Sequence, residues 1–374
     1  MSKNLDSILD KYHPSEIYNC DETGIYFRAL PDSTYVESNQ KADGRGFKTA
    51  KDRITALVCC NLAGEKERLL VIGKSKNPRA FKNIRSFPVS YDSSKNAWMT
   101  GSIWMNWLKE WNGHLRKKKK KILLLVDNCS AHVLDELSQI KVMALPANTT
   151  SIMQPCDMGI IRTLKAHFRT EMRRSILDLL GDENDNNLTS LRANDVTKKM
   201  TILDAMHMLS GAWAKVSSQT IINCWKKAGF YNDIDVITAQ QTSTVDEFQP
   251  NNLQMTRKEF ENWVDIDNNI QVALELSDEH ILDSIIEGEK QDNEEEEEDV
   301  DKPPEEEEEE TPMKNSEIRQ CLKKIRRSLE VKGFEDMASV SQLESKISDF
   351  IWNQPQIQKN IEDYVSPKNA VKYI

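Results

Sequence analysis

No stretch of this 374-residue sequence is apolar over the ~18–20 residues that cross a bilayer. Its opening, MSKNLDSILDKYH, has no signal-peptide core. These absences make a soluble, intracellular chain without a membrane partner the expectation. C-x-x-C is also missing. The seven cysteines (Cys20, Cys59, Cys60, Cys129, Cys156, Cys224 and Cys321) are odd in number and sit mostly in apolar segments. Buried, reduced thiols are expected, and the spacing argues against a zinc site.

What is present suffices for a core. Hydrophobic residues make up 39% of the chain, enough for one sizeable core and a second, smaller unit. The net charge of −10 hides a division. Residues 1–230 carry 35 Lys and Arg against 24 Asp and Glu, or +11, and residues 231–374 carry 15 against 36, or −21. A basic body beside an acidic tail suggests a polyanion-binding module next to a solvated or competing segment.

The pattern of apolar residues predicts three early strands, around Ile17–Cys20, in RITALVCCN and in RLLVIGK, with a turn at Thr23-Gly24 and a hairpin through LAGEKE. GSIWMNWLKEWNGHL has helical spacing and starts at Gly101-Ser102. KILLLVDN reads as a strand buried on both faces, a short helix is expected near 133–139, and IKVMALPA is a further strand. GIIRTLKAHFRTEMRRSILDLL is amphipathic and stops at Gly181. Helices follow in TILDAMHMLSGAWAKV and SSQTIINCWKKAGF, the second capped by Ser217 or Ser218 and stopped at Gly229. The order implies an α/β arrangement around a mixed sheet flanked by helices. Residues 294–310, EEEEEDVDKPPEEEEEE, are low-complexity, and like-charge repulsion is expected to leave them disordered. Residues 313–330 and 338–353 regain helical periodicity. The expected divisions are a lead-in at 1–15, a core at 16–230, a polar linker with short helices at 231–290, the acidic segment at 291–312 and a small helical C-terminal region at 313–374.

Three carboxylates stand at or near strand ends. Asp21 follows IYNC, Asp127 follows ILLLV, and Asp157 precedes the long helix. An Asp in such a place is often only a loop starter or a cap. Three that converged would instead suit divalent cations of the Mg²⁺ type, which a few carboxylates hold while water and phosphate oxygens complete the coordination. Two such ions about 3.5–4 Å apart promote phosphodiester displacement.

Several ordered blocks carry a resemblance: YNCDETGIYFRALPD (18–32), VIGKSKNPRAFK (71–82), LLLVDNCSAH (123–132), LPANTTSIMQPCDMGIIRTLKAHFR (145–169) and TIINCWKKAGF (220–230). In these, the sequence resembles the pogo/Tigger/jerky group of DDE transposases, relatives of the mariner-like elements. The resemblance spans about residues 15–230. It implies an RNase H-like catalytic core, with Asp21, Asp127 and Asp157 as its DDD set and Mg²⁺ or Mn²⁺ as the cofactor. Members usually carry an N-terminal tandem helix-turn-helix region of the centromere protein B type, whereas this sequence begins at the core.

Neighbouring residues have competing readings. Glu22 is expected to be turn-forming or to support a ligand rather than bind metal. Asn128 is a candidate for orienting Asp127. His132 is either near the phosphate or, more in keeping with its setting, capping or buried. Gln154 either touches DNA or serves turn chemistry. Lys74, Lys76, Arg79 and Lys82 lie in a polar loop, and Arg162, Lys165 and Arg169 share one helical face at i, i+3 and i+7. Both groups are candidate phosphate contacts, with a solvated face as the alternative. The run RKKKKK (116–121) reads as a nuclear localisation signal, a phosphate contact or a solvated turn. Trp104, Trp107 and Trp111 read as core.

Two functions follow. One is a nuclear, metal-dependent DNA endonuclease and strand transferase acting on double-stranded DNA as a homodimer. Water attacks first and a freed 3′-hydroxyl later. The other is a domesticated, catalytically idle protein that binds DNA or chromatin. The acidic segment is open to screening the basic body, recruiting basic chromatin proteins or solubilising the chain.

Overall fold

The computed structural model describes residues 9, 11–31, 52–129, 131–132, 137–146, 153–181, 197–230, 255–268, 270–273 and 315–353. The strands are β1 (Ile17–Tyr26), β2 (Arg53–Asn61), β3 (Leu70–Gly73), β4 (Ser90–Ser93), β5 (Ile122–Val126) and β6 (Ile140–Ala144). They form one sheet in the order β4-β3-β2-β1-β5-β6. β1 pairs antiparallel with β2, and β2 with β3, while the β3–β4, β1–β5 and β5–β6 pairs are parallel. This is the mixed sheet flanked by helices that the sequence implied.

Alternation along the strands sorts side chains between two cores. Ile17, Ile25, Leu123 and Leu125 face one side, which is covered by α2 (Ile161–Gly181), α3 (Ile202–Lys215), α4 (Ser218–Lys227) and α5 (Arg257–Val264). Tyr18, Cys20, Leu124 and Val126 face the other, covered by α1 (Gly101–Lys117) through Ile103, Trp104, Leu108, Trp111 and Leu115. The expected buried strand at β5 is present, all five residues being buried. α1 begins where expected, with the Thr100 side chain accepting the Ile103 N–H. Ser217 caps α4, and Gly229 follows it at φ +84°.

Two readings need correction. The chain does not turn at Thr23-Gly24, because β1 runs through both residues in register with β2 as far as Tyr26 opposite Arg53. Gly24 answers a close approach instead: a Cβ there would stand 2.5 Å from Ile270. β4 was not anticipated. Its sequence, SYDS, carries no apolar alternation, and all four residues are only partly buried. The helix expected near 133–139 falls largely, and the acidic segment wholly, outside the described residues.

The remaining elements, α6 (Asn315–Lys332) and α7 (Met337–Asn353), form a helical pair. Main-chain and buried polar contacts fasten it to the core. The Arg85 N–H donates to the Glu330 carbonyl, and His207 on α3 contacts Glu330 and Ser341, each at 2.7 Å.

Candidate active site

Parallel pairing of β1 with β5 sets Asn19 beside Leu125. Two residues further on, the same register brings Asp21 level with Asp127, on the same face. Asp157 reaches them from a π-helical turn, Cys156–Ile160, that precedes α2. Gly159 has φ +139° within that turn, a conformation a side chain would strain. It is where the chain kinks between Asp157 and the axis of α2.

Asn19 joins the three segments. Fully buried, it donates from Nδ2 to the Leu125 carbonyl on β5 (3.0 Å) and accepts the Cys156 N–H at Oδ1 (3.0 Å). One side chain thus ties together the strands bearing Asp21 and Asp127 and the turn bearing Asp157. Its role was not read from sequence, where a lone Asn in an apolar strand gives no periodic signal.

The three acids interact strongly. Burial pushes the Asp21 carboxyl well above the usual range, and neighbouring Asp157, Glu22 and Asp127 add to the rise. Asp157 is exposed along one side, yet partial desolvation raises it too, with Asp127 adding to it, while a hydrogen bond with Asp21 and the Lys165 charge pull the other way. Asp21 and Asp157 are thus a hydrogen-bonded carboxyl pair. Gln154 lies against Asp21 and favours its charged form. It is 1% exposed, and neither of its amide atoms makes a well-aligned hydrogen bond.

Across β1, Glu22 and His132 form a second buried unit. His132 Nε2 lies 3.0 Å from Glu22 Oε1, and Nδ1 lies 2.7 Å from Asp127 Oδ1. The ring packs on Trp104 with centroids 4.4 Å apart. Burial opposes charge on this imidazole, but the Asp127 and Glu22 carboxylates outweigh it and push its pKa up to about 12. His132 is thus the buried residue of the two readings. Asn128 is exposed, and Cys129 is half-buried with Sγ close to Asp127 and His132.

The basic candidates separate. Lys74, Lys76, Arg79 and Lys82 are exposed. Their loop follows β3, which runs parallel to β1, so it leaves the sheet level with the C-terminal end of β1, several residues beyond the end of β5. Arg162 is exposed, 3.5 Å from Asp265. Lys165 is 4% exposed. Arg169 is not a DNA contact. It is wholly buried, donating to Asp267 at 2.6 Å and to the Tyr26 carbonyl at 2.8 Å, against the Trp263 ring. Spacing showed correctly that these three residues share a face, but that face turns inward as it leaves Arg162. Residues 116–121 close α1 and precede β5, at the end of that strand away from Asp127.

Residues 51–225 match the family described as DDE superfamily endonuclease. That segment holds Asp127 and Asp157 and starts after Asp21. The chain is 32% identical over 228 residues to mouse (Mus musculus) Tigger transposable element-derived protein 4, covering 60% of this chain and 42% of that protein. It is 28% identical over 256 residues to CENP-B homolog protein 2 of Schizosaccharomyces pombe (64% and 47%). With the human (Homo sapiens) Jerky protein homolog the identity is 31% over 225 residues (57% and 36%). Over these stretches the chain is similar to transposase-derived proteins of the Tigger and jerky type and to the DDE superfamily endonuclease family. It spans less than half the length of these curated relatives. Among solved structures, the Mos1 strand transfer complex aligns with 60% of this chain and 55% of its own at a TM-score of 0.32 and 14% identity.

Proposed function

We propose that this chain is a DDE endonuclease core that binds double-stranded DNA and cuts and joins its strands. The observation that carries the reading is the convergence of Asp21, Asp127 and Asp157 from two adjacent strands and one helix-leading turn. Carboxylates crowded so that Asp21 and Asp157 are both pushed up are a poor arrangement for a bare protein and a suitable one for divalent cations. The donor set fits the group: all-oxygen ligands suit Mg²⁺ or Mn²⁺. Asp21, Asp127 and Asp157 would hold the ions. Bound there, the ions would activate an attacking oxygen and stabilise a leaving one in phosphodiester displacement.

The protein's own contribution is position. Asn19 fixes the spacing of the three carboxylate-bearing segments, and His132 holds Asp127 from the side away from Asp21. Gln154, buried beside Asp21, is placed to orient that carboxylate. Lys74, Lys76, Arg79 and Lys82 offer phosphate contacts beyond the C-terminal end of β1, and Arg162 adds an exposed charge on α2. Action in the nucleus, assembly as a homodimer and capture of basic chromatin proteins by the acidic segment belong to the same reading.

The test is nicking of labelled duplex DNA with Mg²⁺ or Mn²⁺. Metal-dependent cutting that is lost in Asp21→Ala, Asp127→Ala and Asp157→Ala supports the enzyme. DNA binding without cutting, unchanged in all three variants, would reject it in favour of an idle DNA-binding protein. The acidic cluster favours the first reading, because a core under no catalytic demand has no physical need for three mutually repelling carboxylates.

A further inference from the structure

The loop that follows β5 reads Asp127-Asn-Cys129-Ser-Ala-His132. One ligand atom each from Asp127, Cys129 and His132 lies within 4.8 Å of the other two. A carboxylate, a thiol and an imidazole form a donor set unlike the three carboxylates on the other side of Asp127. Oxygen donors alone suit Mg²⁺ and Mn²⁺, whereas sulfur and nitrogen move preference towards Zn²⁺ and Co²⁺.

The imidazole is oriented for such an ion. His132 Nε2 faces Glu22 Oε1 at 3.0 Å, the outer carboxylate that metal-bound histidines commonly use to fix ring and tautomer. Glu22 is 7% exposed and cannot easily turn to water. That contact leaves Nδ1 as the coordinating nitrogen. Nδ1 is 2.7 Å from Asp127 Oδ1, yet Oδ1 is buried and receives no aligned hydrogen bond. Trp104 holds the ring from behind at 4.4 Å. Metal–ligand bonds of about 2.0–2.3 Å place tetrahedral neighbours roughly 3–4 Å apart. The loop therefore needs only small side-chain adjustments to close on an ion.

We propose that Asp127, Cys129 and His132 form a second cation site for a thiophilic divalent ion of the Zn²⁺ class, with water in the fourth position. On binding, the Cys129 thiol and the Nδ1 position each give up a proton to solvent. Resting on the strand-cutting reading above, the site has a consequence: both cation sites need Asp127, so Zn²⁺ at one empties the other, and Zn²⁺ inhibits nicking in competition with Mg²⁺.

Cobalt is the probe, because a Co²⁺–thiolate bond gives a near-ultraviolet charge-transfer band. The chelator-treated full chain is titrated with Co²⁺, then with Zn²⁺. One equivalent of Co²⁺ should raise the band, and Zn²⁺ should abolish it. Asp157→Ala should keep the band, since that residue belongs to the other set. Cys129→Ser should lose it with its circular dichroism unchanged. Glu22→Gln should weaken Co²⁺ binding about tenfold. No band in the unmodified chain, or one that survives Cys129→Ser, overturns the site. Nicking is a separate measurement. A Cys129-dependent band with no nicking under any metal condition rejects the strand-cutting reading and leaves the cation site standing.

Discussion

Asn19 accepts the main-chain N–H of Cys156 at 3.0 Å, fastening the central strand of the sheet to the residue just before Asp157. Its other amide atom grips the Leu125 carbonyl, two residues before Asp127. Asn19→Ala should leave the buried Cys156 N–H without an acceptor, at a cost of about 1–3 kcal/mol. Melting should fall by several degrees. If the amide sets carboxylate spacing, nicking should drop about a hundredfold, since small misplacements carry costs of that order, while DNA affinity stays level. Equal losses in binding and cutting would indicate general damage to the fold.

Asp21 should behave in the opposite sense. Its carboxyl is buried beside Asp157, Glu22 and Asp127 and is pushed well up in pKa, so without a cation it is a liability. Asn at this position keeps an oxygen for the Glu22 N–H, which Asp21 accepts at 2.8 Å. Asp21→Asn should therefore melt a few degrees higher than the unmodified chain in chelator. Its stabilisation by Mg²⁺, which follows from ligand linkage, should disappear. A variant that melts lower in chelator would mean that the carboxylate stabilises the fold itself.

Arg169 and the loop lysines should part company in binding assays. Arg169→Met strands Asp267 in the interior and frees the Tyr26 carbonyl, and breaking such a pair costs about 3–5 kcal/mol. Adding Asp267→Leu should recover only part of this, because Asp267 also accepts the Tyr26 N–H. Any folded Arg169→Met protein should show an unchanged salt dependence of DNA binding. Replacing Lys74, Lys76, Arg79 and Lys82 by Ala should leave melting nearly unchanged. The log–log salt slope should become shallower by about 0.9 for each phosphate that the loop no longer neutralises. A slope that ignores the loop would remove it from the DNA interface.

Much of this molecule could be read before its structure was known, for identifiable reasons. Apolar runs such as ILLLV and the helical spacing of GSIWMNWLKEW report burial directly, and β5 and α1 stand where those patterns place them. Asp21, Asp127 and Asp157 drew notice because charge at the end of an apolar strand needs an explanation. Patterns failed where they are silent about direction or distance. The i, i+3, i+7 spacing groups Arg162, Lys165 and Arg169 without saying which way they turn. Gly24 gives the same signal for a turn as for a close contact with Ile270. Asn19 and Cys156 are 137 positions apart, and His207 and Glu330 are 123 apart, so nothing local announces either pair. The two C-terminal helices were visible as helices, at Asn315–Lys332 and Met337–Asn353. Their attachment to α3 was not.

That attachment should weaken with acid in two stages. His207 is buried between Glu330 and Ser341, and burial holds its pKa below the ordinary value of 6.5 even with Glu330 beside it. Asp204 and Asp349 are also pulled below the usual carboxylate range. Burial opposes this in both, but Lys323, Thr201 and Arg326 outweigh it at Asp204, and Arg174 and Lys215 outweigh it at Asp349. In each case the unfolded or undocked chain binds the proton more readily, so stability falls as pH falls. The His207 contribution is lost going down from about 6.5. The aspartate contributions are lost below the ordinary carboxylate value, as Asp349 lets go of Arg174 and Lys215 and Asp204 lets go of Arg326. Hydrogen exchange of Met337–Asn353, measured from pH 7 to pH 3 and corrected for intrinsic rates, should rise first near pH 6 and again near pH 4. His207→Gln should remove the first rise and leave the second. A single rise below pH 4 in the unmodified chain would show that the imidazole takes no part in docking the helix.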